Sequence, residues 1–425
     1  MSRLQRMFVL FVLMVLVASC ASPTAVQTVP SPTSQPIPSP TAQSDLPEIY
    51  IVRHPEPTDD IVTGGYYVLP KYDPKSVEPF QIDLRSKDVS ELDFSGREDD
   101  LLYATFNTRT IWPPITRMPA GFKWSKIMEA GKDPGLGVRN LHQQGITGNG
   151  VNIAIIDQPL LVDHVEYANQ IRLYEEINVL PDEASTMHGP AVSSIAVGRT
   201  IGVAPEANLY YIAAWPFDLS NPSSQNLDFS YLAQAVRRII EVNEQLPEGQ
   251  KIRVISMSQG FPPTASGYED IISAIEEAKD AGIFVISVSL DDTYGWQFIG
   301  MERDPYSDPD DFQSYQPAYW LQDLYFTNGF PPDKLWVPMG SRTTASQTGV
   351  DEYVYYRLGG MSWATPYLAG MYALAAQVKP DITPELFWKT ALQTGKTIQL
   401  QQDGRIYEFG VILDPLALME EIKGK

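Results

Sequence analysis

The apolar residues beyond residue 131 fall into short continuous runs separated by longer amphipathic stretches. The runs occupy residues 151–156, 209–213, 252–257 and 283–288, and their length is typical of strands buried on both faces of a sheet. Apolar residues recur at helical spacing in residues 231–244 and 267–279. This alternation predicts an α/β fold with a doubly wound, mostly parallel sheet. In such folds the functional site lies at the carboxyl ends of the strands.

The N-terminus follows a different pattern, which indicates export. Arg3 and Arg6 precede an apolar run at residues 7–17, and small residues lead from there to Cys20. A basic start, an apolar core and small residues before a cleavage point predict a signal peptide over residues 1–19. Residues 17–20 (Val-Ala-Ser-Cys) resemble a bacterial lipobox, which implies that Cys20 becomes a lipidated N-terminus. The alternative is an ordinary buried cysteine, but Cys20 is the one cysteine of the chain and lies where the signal should end.

Residues 20–45 are predicted to be a tether. From residue 22 to 44 they consist almost entirely of Ser, Thr, Pro, Ala, Gln and Val, a composition that does not bury enough apolar area to fold. Stable membrane anchoring takes more than one acyl chain, and a modified lipoprotein cysteine supplies that. We therefore expect a protein of the bacterial cell envelope, outside the cytoplasm and anchored to the membrane through Cys20.

The net charge of the chain limits the kinds of molecule that it is expected to bind. The chain carries 31 Lys and Arg against 52 Asp and Glu, a formal net charge of -21. Such a surface repels phosphate backbones and anionic lipid headgroups, which argues against a nucleic-acid-binding protein. Acidity alone specifies no substrate, and we expect the protein to be a monomer.

Three residues in chain order carry the candidate chemistry. Asp157 ends the apolar run 151–156, and His188 opens a run of small and apolar residues at 190–198. Ser362 follows two glycines and precedes a second small-residue stretch, which predicts a serine at a helix start. A serine hydroxyl becomes a nucleophile when a histidine takes its proton, and a carboxylate orients that histidine. The sequence therefore predicts an Asp157/His188/Ser362 triad.

The surrounding motifs resemble those of the subtilisin-like serine proteases (subtilases). The resemblance covers about residues 135–380, in the chain order Asp, His, Ser that distinguishes subtilisin from chymotrypsin. The motifs lie at residues 148–157, 202–210, 254–260, 337–346 and 360–366. The resemblance implies a peptidase domain over residues 131–425 with the subtilisin fold, and a serine endopeptidase that works through an acyl-enzyme. It also implies that Ser258 and Gly260 bind the substrate backbone and that the chemistry requires no cofactor.

One position departs from the family pattern. Where subtilases place an asparagine that donates a hydrogen bond to the oxyanion, the register places Asp291, with Asp292 one residue away. An ionised carboxylate only accepts hydrogen bonds, whereas a protonated one can donate. Two interpretations follow. In the first, which we favour, Asp291 stays protonated and the enzyme works best at acidic pH. In the second, Asp291 is ionised and the protein is a slow protease or a catalytically weak surface protein that binds peptides.

Two further segments allow alternatives. Residues 46–130 contain short apolar runs at 49–52, 65–69 and 80–84 that are predicted strands. They are either an inhibitory propeptide, as many subtilases have, or a permanent layer on the peptidase domain, which we favour. An aromatic-rich insertion at about 293–336 either overhangs the active site or forms a small core of its own.

The remaining candidates are weaker. Aspartates 304, 308, 310 and 311 could hold a structural calcium ion, although a solvated acidic loop is the favoured interpretation. The other histidines, His54, His142 and His164, are predicted to be surface or packing residues.

Overall fold

The computed structural model describes residues 49–60, 66–74, 76, 78, 80–217, 219, 226–329 and 333–424. The predicted signal peptide, Cys20 and the tether lie outside these residues. Within them, no helix combines the length and apolar character needed to cross a bilayer.

Strands and helices alternate along the described chain. The strands are β1 (Tyr50–Ile51), β2 (Phe106–Asn107), β3 (Asn152–Asp157), β4 (Ile171–Ile177), β5 (Asn208–Ala214), β6 (Ile252–Met257), β7 (Phe284–Ser287), β8 (Gln297–Arg303), β9 (Tyr315–Pro317), β10 (Lys334–Pro338), β11 (Arg342–Ala345), β12 (Tyr353–Tyr356), β13 (Lys396–Gln402) and β14 (Arg405–Ile412). The helices are α1 (Glu98–Leu101), α2 (Trp124–Gly131), α3 (Val138–Gln143), α4 (His188–Val197), α5 (Ser230–Gln245), α6 (Tyr268–Asp280), α7 (Leu290–Tyr294), α8 (Tyr319–Asn328), α9 (Met361–Val378), α10 (Pro384–Thr394) and α11 (Pro415–Lys423).

The main sheet confirms the predicted fold class. Among the described residues, six parallel strands lie in the order β1-β4-β5-β3-β6-β7. The four predicted strands are β3, β5, β6 and β7, and the two predicted amphipathic helices are α5 and α6. β3 lies in the interior of the sheet with all six of its residues buried, so its carboxyl end is held firmly. Asp157 is the last residue of that strand.

Helices cover both faces of this sheet. The apolar sides of α5 and α6 pack on one face, and α4 and α9 lie on the other. α9 is buried along nearly its whole length because it consists largely of small and apolar residues. A Cβ on Gly370 of this helix would lie 2.6 Å from the Cβ of Val203, so the backbone of α9 approaches its neighbour closely. The start of α9, and with it Ser362, is thereby fixed relative to the sheet.

The insertion builds part of a second sheet. Its strands β8 and β9 join β10, β14 and β13 in the order β13-β14-β10-β8-β9. Its aromatic side chains pack inward: Trp296 stacks on Trp388 with ring centroids 5.2 Å apart, and Trp336 lies 4.6 Å from Phe409. These rings belong to the same buried cluster as the main sheet. The insertion therefore packs into the main buried core and has no separate small core of its own among the described residues, and an overhang above the active site stays a prediction.

The described residues from 49 to 130, called here the N-terminal layer, pack on the rest of the described chain at several places. β1 extends the main sheet by pairing with β4, and β2 pairs with β12 in a three-stranded antiparallel sheet. The predicted strand at 80–84 is wrong: Asp83 makes only an isolated bridge to Thr105. Phe80 has a left-handed φ of 56°, and the Asp83 carboxylate accepts from the Arg85 N–H, so the chain turns here. Residues 66–69 form no strand either.

Candidate active site

Asp157 and His188 meet at the carboxyl end of β3. The His188 Nδ1 donates to the Asp157 Oδ1 over 2.6 Å, and their side chains are only 7% and 5% exposed. A carboxylate only accepts, so the hydrogen bond places the imidazole proton on Nδ1 and leaves Nε2 with its lone pair. The pair therefore has the geometry of a general base with an orienting carboxylate.

The close approach of α4 to the loop after β3 depends on a glycine. A Cβ on Gly189 would lie 2.7 Å from the Gln158 carbonyl oxygen and 2.7 Å from the Tyr211 hydroxyl. The Tyr211 hydroxyl donates to that same carbonyl and so anchors the loop. Burial, and then the nearby Asp157 carboxylate, raise the pKa of Tyr211 well above its usual value, which keeps the hydroxyl a donor. Sequence analysis missed Tyr211 because a strand tyrosine carries no local signal for this contact.

Ser362 lies in the first turn of α9, as predicted for a serine at a helix start. Its hydroxyl donates to the Ser258 carbonyl oxygen over 3.5 Å, and the Ser258 hydroxyl donates to the Ser362 carbonyl oxygen over 2.9 Å. These contacts bring together two of the predicted site segments. The next residue, Trp363, packs on the His188 ring with centroids 5.4 Å apart. Within the described residues the Ser362 hydroxyl has Ser258, and not His188, as its hydrogen-bond partner.

The segment that was predicted to bind substrate continues from β6. Ser258 is 8% exposed. Gly260 lies beside Val288 and Ser289, the residues that follow β7. A Cβ on Gly260 would lie 3.7 Å from the Ser289 Oγ, which is ordinary contact, so the backbone runs close beside these residues. The Ser289 hydroxyl accepts from the Phe261 N–H over 2.9 Å and holds the two segments together. Substrate binding by Ser258 and Gly260 stays a prediction.

Asp291 lies on the short helix α7 and is tied to the second sheet. Its Oδ2 accepts from the Gln297 Nε2 over 3.3 Å, and the Gln297 side-chain oxygen accepts from the Lys334 ammonium group. Lysine has only donors, so it fixes which end of the Gln297 amide faces Asp291. Partial burial, and then the charge of Asp291, raise the pKa of the neighbouring Asp292, while a hydrogen bond with Ser289 acts in the opposite direction. Two adjacent carboxyl groups thus follow β7, and the pKa of the second, Asp292, is raised.

The three other histidines make structural contacts. His54 contacts Asp163 at 2.9 Å on the surface, and the His142 Nε2 contacts the Val203 carbonyl oxygen at 2.8 Å. The His164 ring accepts from the Glu166 N–H and contacts a backbone carbonyl oxygen at 2.9 Å. Burial lowers the pKa of both His142 and His164. These contacts agree with the packing and surface roles expected for them.

The acidic loop of the insertion uses its carboxylates locally. Asp308 accepts from the Asp310 N–H, Asp310 from the Gly137 N–H, and Asp311 from the Gln313 N–H. In the described part of the chain, no group of three or more histidine, cysteine, aspartate or glutamate side chains could hold a metal ion. The calcium site stays an untested prediction.

Comparison with known proteins points to one family. Residues 148–320 match the model of the subtilase family, a range that includes Asp157 and His188 and ends before Ser362. The chain is 26% identical over 301 residues to the serine protease AprX of Bacillus subtilis, covering 63% of this chain and 66% of the relative. It is 23% identical over 271 residues to the subtilisin-like protease PopC of Myxococcus xanthus, covering 58% and 56%. The chain thus spans less than two thirds of the length of these relatives.

The chain is also similar to solved structures. The prenylagaramide maturation protease PagA covers 68% of this chain and 99% of its own, with a TM-score of 0.47 and 16% sequence identity.

Proposed function

Because residues 148–320 match the subtilase family and the chain is similar to serine proteases of that family, we propose that it is an endopeptidase whose triad is Asp157, His188 and Ser362. The observation that carries the proposal is the buried 2.6 Å hydrogen bond between Asp157 and His188 at the carboxyl end of a central strand. Ser362 begins the neighbouring helix, and the residue after it touches the His188 ring. The three side chains come from three distant segments of the chain, as the sequence motifs predict.

In the proposed mechanism the Ser362 oxygen attacks the carbonyl carbon of a peptide bond. His188 Nε2 takes the hydroxyl proton and later gives it to the leaving amine, and Asp157 stabilises the imidazolium that forms between these steps. Water then cleaves the acyl-enzyme by the same route. Rotation of the Ser362 hydroxyl away from the Ser258 carbonyl is part of this cycle, because catalytic hydrogen bonds often tighten only when substrate is bound.

The oxyanion of the tetrahedral intermediate needs a donor. Two groups are proposed: the backbone N–H groups at the start of α9, where the helix dipole favours negative charge, and the protonated carboxyl group of Asp291. The hydrogen bond from Gln297 occupies the Asp291 Oδ2 as an acceptor. A proton on this carboxyl group is therefore best placed on Oδ1, from which it can be donated.

The location of the protein is also a proposal. A lipid anchor at Cys20 and a tether to residue 45 hold the peptidase outside the cytoplasm, where its substrates are proteins or peptides. The sequence pattern of residues 1–20 supports this, and acyl labelling of the Cys20→Ala variant against the parent tests it.

Hydrolysis tests the function directly. The full-length protein is incubated with a peptide mixture, and new termini are identified by mass spectrometry. The proposal expects cleavage by the parent and by Ser273→Ala, which removes an exposed helix serine, and none by Ser362→Ala. Binding without cleavage would favour the peptide-binding surface protein. Cleavage of esters alone would favour an esterase.

A further inference from the structure

We propose that the N-terminal layer is a permanent part of the active site, in which Phe80 and Arg85 position His188 through Tyr356 and Trp363. The inference rests on the proposed role of His188 as the base. It is carried by a continuous series of ring contacts that leads from the layer to the imidazole.

The first contact holds the imidazole itself. Asp157 fixes His188 at Nδ1, but one hydrogen bond leaves the ring free to rotate about that contact. Trp363 packs on the ring with an interplanar angle of 57° and removes this freedom. Trp363 is 3% exposed, and its indole N–H has no hydrogen-bond partner among the described residues. The position of Trp363 therefore depends on packing alone.

The second contact holds Trp363. The Tyr356 ring meets it edge to face, with centroids 5.4 Å apart and an interplanar angle of 79°. Such aromatic pairs attract each other beyond the effect of the area they bury, and they are directional. Tyr356 is 1% exposed and ends β12, so it has little freedom to follow a displaced neighbour.

The third contact comes from the layer. Phe80 meets Tyr356 edge to face at 6.0 Å. The Arg85 guanidinium carbon lies 5.4 Å from the Phe80 centroid and 5.7 Å from the Tyr356 centroid, within the range of cation–π attraction. Two of its nitrogens donate to the Asp83 carboxylate at 2.9 and 2.7 Å, which fixes the guanidinium plane. Arg85 thus connects the layer to Tyr356, the residue whose ring packs on Trp363.

The same strand ties the layer to the domain on its other side. Successive residues of a strand point to opposite faces, so Tyr355 points away from Trp363. Its ring packs on Phe106 of the layer at 5.1 Å and belongs to the layer's own buried cluster. Removal of the layer would expose Tyr355 and strip the support from Tyr356 at once. Such a dependence is expected of a permanent structural element. It does not fit an inhibitory segment that is removed on activation.

Two measurements test the inference. In the first, the full-length protein is labelled with a fluorophosphonate. The mass of the labelled species is then determined under non-denaturing conditions, so that fragments that are bound to each other stay together. The layer is expected in that species, either in one chain or as a fragment that stays bound. A labelled species without any of residues 49–130 would overturn the inference and leave the triad intact.

The second compares variants by steady-state kinetics. Arg85→Ala and Tyr356→Leu are expected to lower kcat about tenfold or more with KM within about twofold, because they misplace the base without touching substrate. Tyr356→Phe keeps the aromatic ring and is expected to recover most of the kcat that Tyr356→Leu loses. Arg117→Ala, which removes a surface arginine paired with Glu91, is the matched control. A lower melting temperature with unchanged kcat in folded Arg85→Ala protein would overturn the inference.

A signal independent of turnover completes the test. In the Ser362→Ala protein, the Nδ1 proton of His188 is followed by proton NMR and assigned with His188→Gln. Arg85→Ala is expected to shift or broaden this signal, and Arg117→Ala is not. If the parent shows no hydrolysis, the proposed function fails, and this signal still decides whether the layer positions the imidazole. An identical signal in both variants would contradict that positioning.

Discussion

The N-terminal layer and the second sheet both border the candidate active site, but they are connected to it in different ways. The layer has its own small buried cluster and contacts His188 through aromatic rings. The second sheet shares the main buried cluster and contacts Asp291 through hydrogen bonds from Gln297, which in turn binds Lys334. Packing of rings is insensitive to pH, whereas a bond to a carboxyl group depends on its protonation. The proposed base is thus held by ring packing in addition to its hydrogen bond with Asp157, and the proposed oxyanion group by a hydrogen bond to its carboxyl group.

The largest expected difference concerns stability. Phe106 and Phe409 are both fully buried, one in the layer and the other in the second sheet. Replacing either with alanine is expected to cost about 3–5 kcal/mol of local or global stability. Because the layer cluster is separate, Phe106→Ala should speed hydrogen exchange mainly within the layer. Phe409→Ala should lower the free energy of unfolding of the whole molecule. Equal exchange patterns in the two variants would contradict the comparison.

The next effect concerns Asp291. If its carboxyl group donates to the oxyanion, Asp291→Ala should lower kcat by about 10²–10³-fold, the loss known for one such donor in subtilisin. Asp291→Asn supplies a donor at every pH, so its activity should exceed that of the parent above neutral pH. The measurement is kcat against pH for parent and both variants. Asp292→Asn is the matched neighbour control and should keep the parent's order of magnitude in kcat.

A smaller effect is expected at Gln297. Loss of its hydrogen bond leaves Asp291 without its partner on the second sheet, and one hydrogen bond between neutral groups contributes about 0.5–1.5 kcal/mol. Gln297→Leu should therefore lower kcat by up to about tenfold, with the pH profile altered. Gln322→Leu removes a similar side chain of α8, which donates to the Pro317 backbone carbonyl oxygen at the end of β9, and it should leave kcat unchanged. Identical kinetics for both variants would show that Asp291 does not depend on the second sheet.

The smallest expected effect is on the pH dependence of stability. Burial lowers the pKa of His164 from 6.5. When the pH falls below about 6.5, this histidine therefore takes up a proton in the unfolded chain before it does so in the folded one. The free energy of unfolding then decreases as the pH is lowered further, by at most about 1.4 kcal/mol per pH unit. Denaturant titrations of His164→Gln should show a shallower decrease than the parent.

The sequence predicted the main sheet and the placement of the candidate triad because their signals are local. The buried runs that became β3, β5, β6 and β7 are mostly apolar, and His188 and Ser362 lie at helix starts with small-residue runs behind them. β4 was missed because Arg172, Glu175 and Glu176 interrupt its apolar residues. The predicted strand at 80–84 failed because Phe80 and the Asp83–Arg85 contact turn the chain there, and apolar composition carries no such information.

The features that the sequence did not predict depend on contacts between residues that are distant along the chain. Nothing in the local sequence around Arg85 indicates Tyr356, which is 271 residues away. The pairing of Asp291 with Gln297 is nearer in sequence, but the role of Lys334 depends on the pairing of β8 with β10. Such contacts are set by the packing of whole elements, so only the folded structure contains them.

The most direct test of the central claim is the site of fluorophosphonate labelling. The full-length protein is treated with the probe from about pH 4 to pH 9, and the modified residue is identified by peptide mass spectrometry. The account predicts modification of Ser362, strongly reduced in His188→Ala and absent in Ser362→Ala. Labelling strongest at acidic pH would support a protonated Asp291 as well. A folded protein that is not modified at Ser362 at any pH would contradict the proposed triad.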